Sequence, residues 1–138
     1  MNQTKIEVVE RLGQVYCRIG QSKIHGTGVI AIRTIPQGVN PFPSIDVFDD
    51  LIEFTENELA DIHPAVVKMA KEFGKNKDGN IYIPRAGINA MNVSFYLNHS
   101  DTPNVKTDDG GLTFITLREI QTEEELTADY NTFGLVIE

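Results

Sequence analysis

A chain of 138 residues with 12 Lys and Arg against 20 Asp and Glu, a formal charge of −8, suits one domain built on one core. That balance argues against nucleic acid, whose phosphates need a basic face, and favours basic partners instead. One cysteine, Cys17, excludes an internal disulfide and a Cys-rich zinc site, and no apolar run approaches the ~20 residues of a membrane span. Met1 to Gly13 alternates charges without the apolar stretch of a secretion signal, so a soluble protein of a reducing, intracellular compartment, cytoplasmic or nuclear, is expected.

In chain order, Gln14 to Ile19 alternates apolar and polar residues and predicts a strand. Gly20 to Gly28 reads as a loop. Val29 to Ile35, rich in β-branched residues, predicts a second, buried strand, ended by the turn signal Pro36-Gln37-Gly38. Asn40 to Ser44 holds two prolines and reads as irregular or as an edge. Thr55 and Glu58 form a capping box that opens a helical pattern at Leu59 and Ile62. Pro64 suits the first turn of a further helix, with Val66, Val67, Ala70 and Phe73 on its apolar face. Gly74 to Gly79 reads as a charged loop and Asn80 to Ile83 as a short strand. Asn89 to Leu97 predicts a helix that delivers Asn98 at its end. Val105 to Thr107 and Leu112 to Leu117 predict strands around the hairpin turn Asp108-Asp109-Gly110-Gly111. Ile120 to Glu124 reads as an acidic turn, Leu126 to Tyr130 as a last extended segment, and Asn131 to Glu138 as a tail. Strands that bracket a helical insert, without regular strand–helix alternation, predict an α+β domain, mainly β, of many short strands.

Three stretches are dense in groups that do chemistry. Asn98-His99-Ser100-Asp101-Thr102-Pro103-Asn104 must turn, because Pro103 locks one dihedral and pushes Thr102 out of helical space. Gly26-Thr27-Gly28 suits a tight turn or a close backbone approach to a ligand. It is not a dinucleotide fingerprint, since a third glycine is absent and a strand follows. Asp129-Tyr130 either ends a strand or presents an oriented hydroxyl. The neighbours Ser100, His99 and Asp101 diverge too much for a nucleophilic triad. His25, His63 and His99 have no metal-ligand spacing, so no metal is expected. Glu123-Glu124-Glu125 reads as a solvated acidic turn.

Taken together and in this order, Gly26-Thr27-Gly28, Asn98-His99-Ser100…Pro103-Asn104 and Glu125-Leu126-Thr127-Ala128-Asp129-Tyr130 resemble the motif set of the SET-domain protein lysine methyltransferases. The resemblance spans nearly the whole chain, as one domain over 1–138 with a core of about 14–134 and a helical insert of about 45–88. It implies small curved sheets around a C-terminal pseudoknot, and methyl transfer from S-adenosylmethionine to a lysine amine. By similarity, Gly26, Thr27 and Gly28 lie along the cofactor, Asn98 and His99 hold its two ends, Phe133 stacks near the adenine, and Tyr130 is the catalytic tyrosine. Tyr82 is the weaker match, as a second tyrosine of the lysine channel. Ala128 stands where many members carry Phe or Tyr, which leaves room for more than one methyl. The Cys-rich segment of many histone-directed members is absent, so part of the channel must come from Leu135 to Glu138 or from a partner subunit. Ile83-Pro84-Arg85-Ala86 lacks an Asp often found there. The implied partner is a lysine-containing protein or basic peptide, histone, ribosomal or other, and a domain this short can dimerise to complete its channel. A silent module of the same fold that binds a basic peptide is the alternative.

Overall fold

In a computed structural model, residues 1–43, 51–73, 75–77, 79–85, 87–90, 93–108, 110–111 and 113–133 are described. The helices and strands are α1 (Gln3–Leu12), β1 (Cys17–Gln21), β2 (Thr27–Ala31), β3 (Leu51–Phe54), α2 (Pro64–Phe73), β4 (Lys75–Lys77), β5 (Asn80–Pro84), β6 (Asn98–His99), β7 (Val105–Lys106), β8 (Ile115–Thr116) and β9 (Glu125–Ala128), joined by short 3-10 turns. They form a four-stranded sheet ordered β1-β2-β9-β6, a three-stranded sheet ordered β3-β5-β4, and the β7-β8 hairpin. The α+β class, mainly β, is as expected.

β1 and β2 form an antiparallel hairpin from Cys17↔Ala31 to Gln21↔Thr27. The turn between them needs Gly26, whose φ of +49° is left-handed, and closes with the Ser22 amide donating to the Gly26 carbonyl at 2.8 Å. β9 enters late in sequence yet sits in the middle of this sheet. It pairs antiparallel with β2 (Val29↔Leu126, Ile30↔Glu125) and parallel with β6 (Asn98↔Thr127, His99↔Ala128). The last strand is thus inserted between two segments formed much earlier in the chain.

Strand alternation decides which side chains are buried. Val29, Ala31, Leu126 and Ala128 face inward at 0% exposure, and meet Ile35, Leu97, Val105, Phe114 and Ile120 in the main core. Each large apolar side chain so buried contributes roughly 1.5–3 kcal/mol. Ile30, Glu125 and Thr127 take the opposite face. Asn104 is buried and clamps β9: its Nδ2 donates to the Glu125 carbonyl at 2.9 Å, and its Oδ1 accepts from the Thr127 amide at 2.8 Å. This is the amide that the Pro103 turn sets into the core.

A second, smaller cluster, Leu59, Ala70 and Ile81 with Phe54, Val67, Ile83 and Ile88, joins α2 to the three-stranded sheet. The capping box forms: the Thr55 amide donates to Glu58 Oε1 at 2.9 Å and the Glu58 amide to Thr55 Oγ1 at 3.3 Å. It opens a 3-10 turn, Asn57–Leu59, rather than an α-helix. Pro64 begins α2 as expected.

Several elements differ from the sequence reading. Met1 to Gly13, given no element, contains α1, whose Asn2 cap accepts the Lys5 amide at 2.9 Å. The first strand begins at Cys17, because the amides of Gln14 and Val15 still bond back to Arg11 and Leu12 carbonyls. The second strand stops at Ala31, and Ile35 makes a separate bridge to Ile120. The insert holds a sheet as well as a helix, with β3 and β4 on either side of β5. Asn89 to Leu97 is not one helix: Ile88–Ala90 and Val93–Tyr96 are separate 3-10 turns. β-Branched and aromatic residues at Val93, Phe95 and Tyr96 lower its helix propensity. The last strand ends at Ala128, and Tyr130–Phe133 is a 3-10 turn. Ser44 and the start of the insert, Leu112, and Gly134 to Glu138, including the channel segment expected at Leu135 to Glu138, lie outside the described residues.

Candidate functional site

Where β9 lies between β2 and β6, the three sequence-distant motifs meet. Pairing Asn98 with Thr127 puts the Asn98 side chain on the outer face of the sheet, beside Glu125. Its Nδ2 lies 2.9 Å from Glu125 Oε2, 3.0 Å from Ser22 Oγ, 3.1 Å from the His25 carbonyl and 3.2 Å from the Thr27 carbonyl. An amide nitrogen has two protons. Four oxygens therefore compete for two donors, and the pocket between the Gly26 turn and β6 is rich in acceptors.

Ser22 shapes this pocket. Its hydroxyl donates to the Glu125 carboxylate, at 2.8 and 2.9 Å from the two oxygens, while its oxygen accepts the amides of Ile24 at 2.8 Å and His25 at 3.0 Å. The 22–26 loop is thus tied to β9 across the sheet. Gly28 is the floor. A Cβ there would lie 2.6 Å from Glu125 Oε2 and 3.1 Å from Asn98 Nδ2, so only glycine leaves this network intact.

His99 and Tyr130 form the other side. The Tyr130 amide donates to His99 Nδ1 at 3.1 Å. That nitrogen is therefore the acceptor, and Nε2 carries the proton in the neutral ring and donates to Asp101 Oδ1 at 2.9 Å. The two rings stack at a tilt, with centroids 5.3 Å apart. Asp129 caps the turn that carries Tyr130: its Oδ1 accepts the Asn131 amide at 3.0 Å and its carbonyl accepts the Thr132 hydroxyl at 2.7 Å. The half-buried Tyr130 hydroxyl donates to the carbonyl of Leu97, the residue before Asn98. Burial, and then the negative charge of Glu125, raise the Tyr130 pKa above its ordinary value. At neutral pH this group is a protonated phenol, not a base.

The sequence-predicted residues Gly26, Thr27, Gly28, Asn98, His99, Ala128 and Tyr130 lie on or beside the β2-β9-β6 part of one sheet. Ala128 is fully buried beside His99, on the core face of β9. Tyr82 sits on β5 of the insert's sheet, opposite Glu53 and Lys75. Phe133 ends the 3-10 turn after β9, and its side chain lies outside the described residues. The sequence reading gave no site role to Ser22 or to Glu125, although Glu125 opens the third motif. Three consecutive glutamates read as a solvated turn, and only Glu125 departs from that. Its signal was the strand alternation, which places Glu125 and Thr127 opposite the buried Leu126 and Ala128.

A sequence profile described as the SET domain matches residues 26–131. No curated protein sequence matches the chain. Among solved structures, a Plasmodium falciparum protein provisionally described as a histone methyltransferase superposes with a TM-score of 0.53 at 17% identity, covering 84% of this chain and 93% of that one. At that identity the likeness concerns the fold. The profile match covers well over half of the chain, its bounds take in all three motifs, and the sheet holds those motifs at one site: the chain belongs to the SET-domain family.

Proposed function

We propose that this protein transfers a methyl group from S-adenosylmethionine to a lysine side-chain amine of a protein, presented within a basic segment. The observation that carries this reading is the acceptor-rich pocket around Asn98. An amino-acid ammonium brings three donors and a positive charge, and it fits between the His25 and Thr27 carbonyls with Glu125 nearby. A half-turn of the Asn98 amide would present Oδ1 to the same ammonium, whose three protons would then serve the acceptors that Nδ2 leaves.

When bound, the cofactor supplies an electrophilic methyl on a sulfonium centre. The chain's own contribution is alignment, which can be worth roughly 7–11 kcal/mol. Gly28 leaves room for the Glu125 and Asn98 side chains that line the pocket. Because the Tyr130 proton goes to the Leu97 carbonyl, the phenol oxygen acts toward a donor or an amine only as an acceptor. It can orient a lysine amine but not deprotonate it. A free lysine has a pKa of about 10.4, so loss of its proton relies on a dry channel that favours the neutral amine and on solvent as the final acceptor. Ala128 stands where many members of the family carry Phe or Tyr, and we read its small side chain as allowing more than one methyl.

The test pairs calorimetric titration of S-adenosylmethionine with transfer to a lysine-peptide array. Saturable binding and transfer to lysine are expected, with Tyr130→Phe keeping most of the binding and losing at least about 100-fold in rate, the scale of one oriented polar group in a transition state. Binding with no transfer to any lysine leaves the silent peptide-binding module instead. Mass spectra of the product showing monomethyl-lysine alone would remove the reading of Ala128.

A further inference from the structure

Tyr130 is gripped at both ends by the segment that runs into β6. Its hydroxyl donates to the Leu97 carbonyl, and its backbone amide donates to His99 Nδ1 at 3.1 Å. The second grip depends on a ring that can change charge. Imidazole is the side chain that takes up a proton between about pH 5 and 8. The His99 side chain is 29% exposed, so solvent reaches it. A proton has different consequences at its two nitrogens. Nε2 donates to Asp101 Oδ1 at 2.9 Å in the neutral ring and goes on donating in the charged one. The Asp101 side chain is 93% exposed, so that contact is screened and contributes little. Nδ1 is an acceptor in the neutral ring and a donor in the charged one.

We propose that His99 is a proton-operated switch on the turn that carries Tyr130, holding that turn when the ring is neutral and releasing it when the ring is charged. Protonation reverses two contacts at Nδ1 together. The Tyr130 amide loses this acceptor and meets a second N–H donor 3.1 Å away, which repels it. Asp129 Oδ1, 3.8 Å from the same nitrogen, changes from one lone pair facing another into the acceptor of an ion pair. That oxygen already caps the Tyr130 turn, accepting from the Asn131 amide and from Asn131 Nδ2, both at 3.0 Å. Drawing it toward His99 pulls on the cap while the Tyr130 amide is pushed away. Among the described residues, the titratable groups that meet His99 are Asp101 on its own turn, and Asp129 and Tyr130 after β9. Glu125 on β9 and the His25 carbonyl of the first hairpin turn meet the neighbouring Asn98 instead. One consequence rests on the methyl-transfer reading. Acid withdraws the phenol oxygen from the amine it orients, so transfer loses a further factor of about ten per pH unit below the ring's midpoint, beyond the loss from the lysine's own charge.

The test follows ring and amide by nuclear magnetic resonance in the full isotope-labelled chain, without cofactor or peptide, across about pH 5 to 8. The neutral ring should carry its proton on Nε2, and the Tyr130 amide proton should move upfield on acidification with the same midpoint as the ring. His99→Asn puts an amide oxygen where Nδ1 stands, an acceptor that does not titrate, and should make the Tyr130 amide shift independent of pH. In transfer to a lysine peptide, the wild-type rate should fall about tenfold more per pH unit than that of His99→Asn below the ring's midpoint. A Tyr130 amide that ignores the ring's titration, one that still titrates in His99→Asn, a neutral ring protonated on Nδ1, or pH–rate profiles of equal slope would overturn the proposal. The wild-type resonances need no variant, so they decide the switch even if His99→Asn does not fold or turn over. They need no turnover either: a shared titration with no lysine methylated would overturn the methyl-transfer reading and leave the switch standing.

Discussion

Gly28 and Glu125 carry the site at the scale of single residues, and each is explained by what lies across the sheet rather than by its neighbours in the chain. Replacing Gly28 with Ala would drive Glu125 from Ser22 and Asn98, because the new Cβ falls 2.6 Å from the carboxylate oxygen. The displaced atom is the end of a flexible side chain, so the fold should survive. Losing one charge-assisted hydrogen bond, worth roughly 1.5–3 kcal/mol, should weaken S-adenosylmethionine binding at least about tenfold, read by calorimetry. Unchanged affinity in Gly28→Ala would separate the Glu125 network from ligand binding. The glycine was legible in the sequence as a place for close approach. What must approach it was not, since Ser22, Glu125 and Asn98 are brought there by three different segments.

Among the elements, β9 decides whether the site exists. Its two sides are held by β2 and by the 98–104 turn, and the buried Asn104 bonds both its Glu125 carbonyl and its Thr127 amide. Asn104→Leu leaves those two backbone groups unpartnered and buried. A penalty of roughly 1–3 kcal/mol each is expected, enough to lower the urea midpoint markedly. Asn104→Asp keeps the acceptor for Thr127 and loses the donor to Glu125, so its midpoint should fall between the wild type and Asn104→Leu. Pro103 predicted the turn, and the β-branched run from Val29 predicted a buried strand. The β4 strand was hidden because Lys75–Lys77 carries no apolar pattern and acquires its partners only by lying beside β5.

For the molecule as a whole, stability should depend on pH at both ends. Burial pushes the Cys17 thiol from 9.0 up to about 12. Between these values the unfolded chain has lost the proton that the folded chain keeps. The contribution of Cys17 is therefore complete below about pH 9 and falls as pH rises, by up to ~1.4 kcal/mol per pH unit. The raised pKa of Tyr130 acts in the same direction at higher pH. Cys17→Ala should flatten the fall in urea midpoint above pH 9, and an equally steep fall would place its cause elsewhere. At the acid end the Arg118 side chain, and then the Gln121 amide, hold the Glu124 carboxyl below its ordinary value. That stabilisation is present above the ordinary carboxylate range and is lost as pH falls through the lowered value. This pair lies at the surface, so Arg118→Gln should change acid stability only slightly, and less so in high salt.

The sequence by itself determined what depends on near neighbours: the buried strand after Gly28, the hairpin around Gly110 and Gly111, the capping box at Thr55, the turn at Pro103, and the ordered motifs that resemble the SET-domain family. The first four follow from composition, a constrained dihedral or a local hydrogen bond, and the last is a resemblance carried by residue identity and order. Only the tertiary structure decided the parallel pairing of β6 with β9 and the conversion of Glu125 from a solvated acid into a bonded one. Those outcomes rest on which distant segments exclude water from one another, and no window of sequence contains both partners.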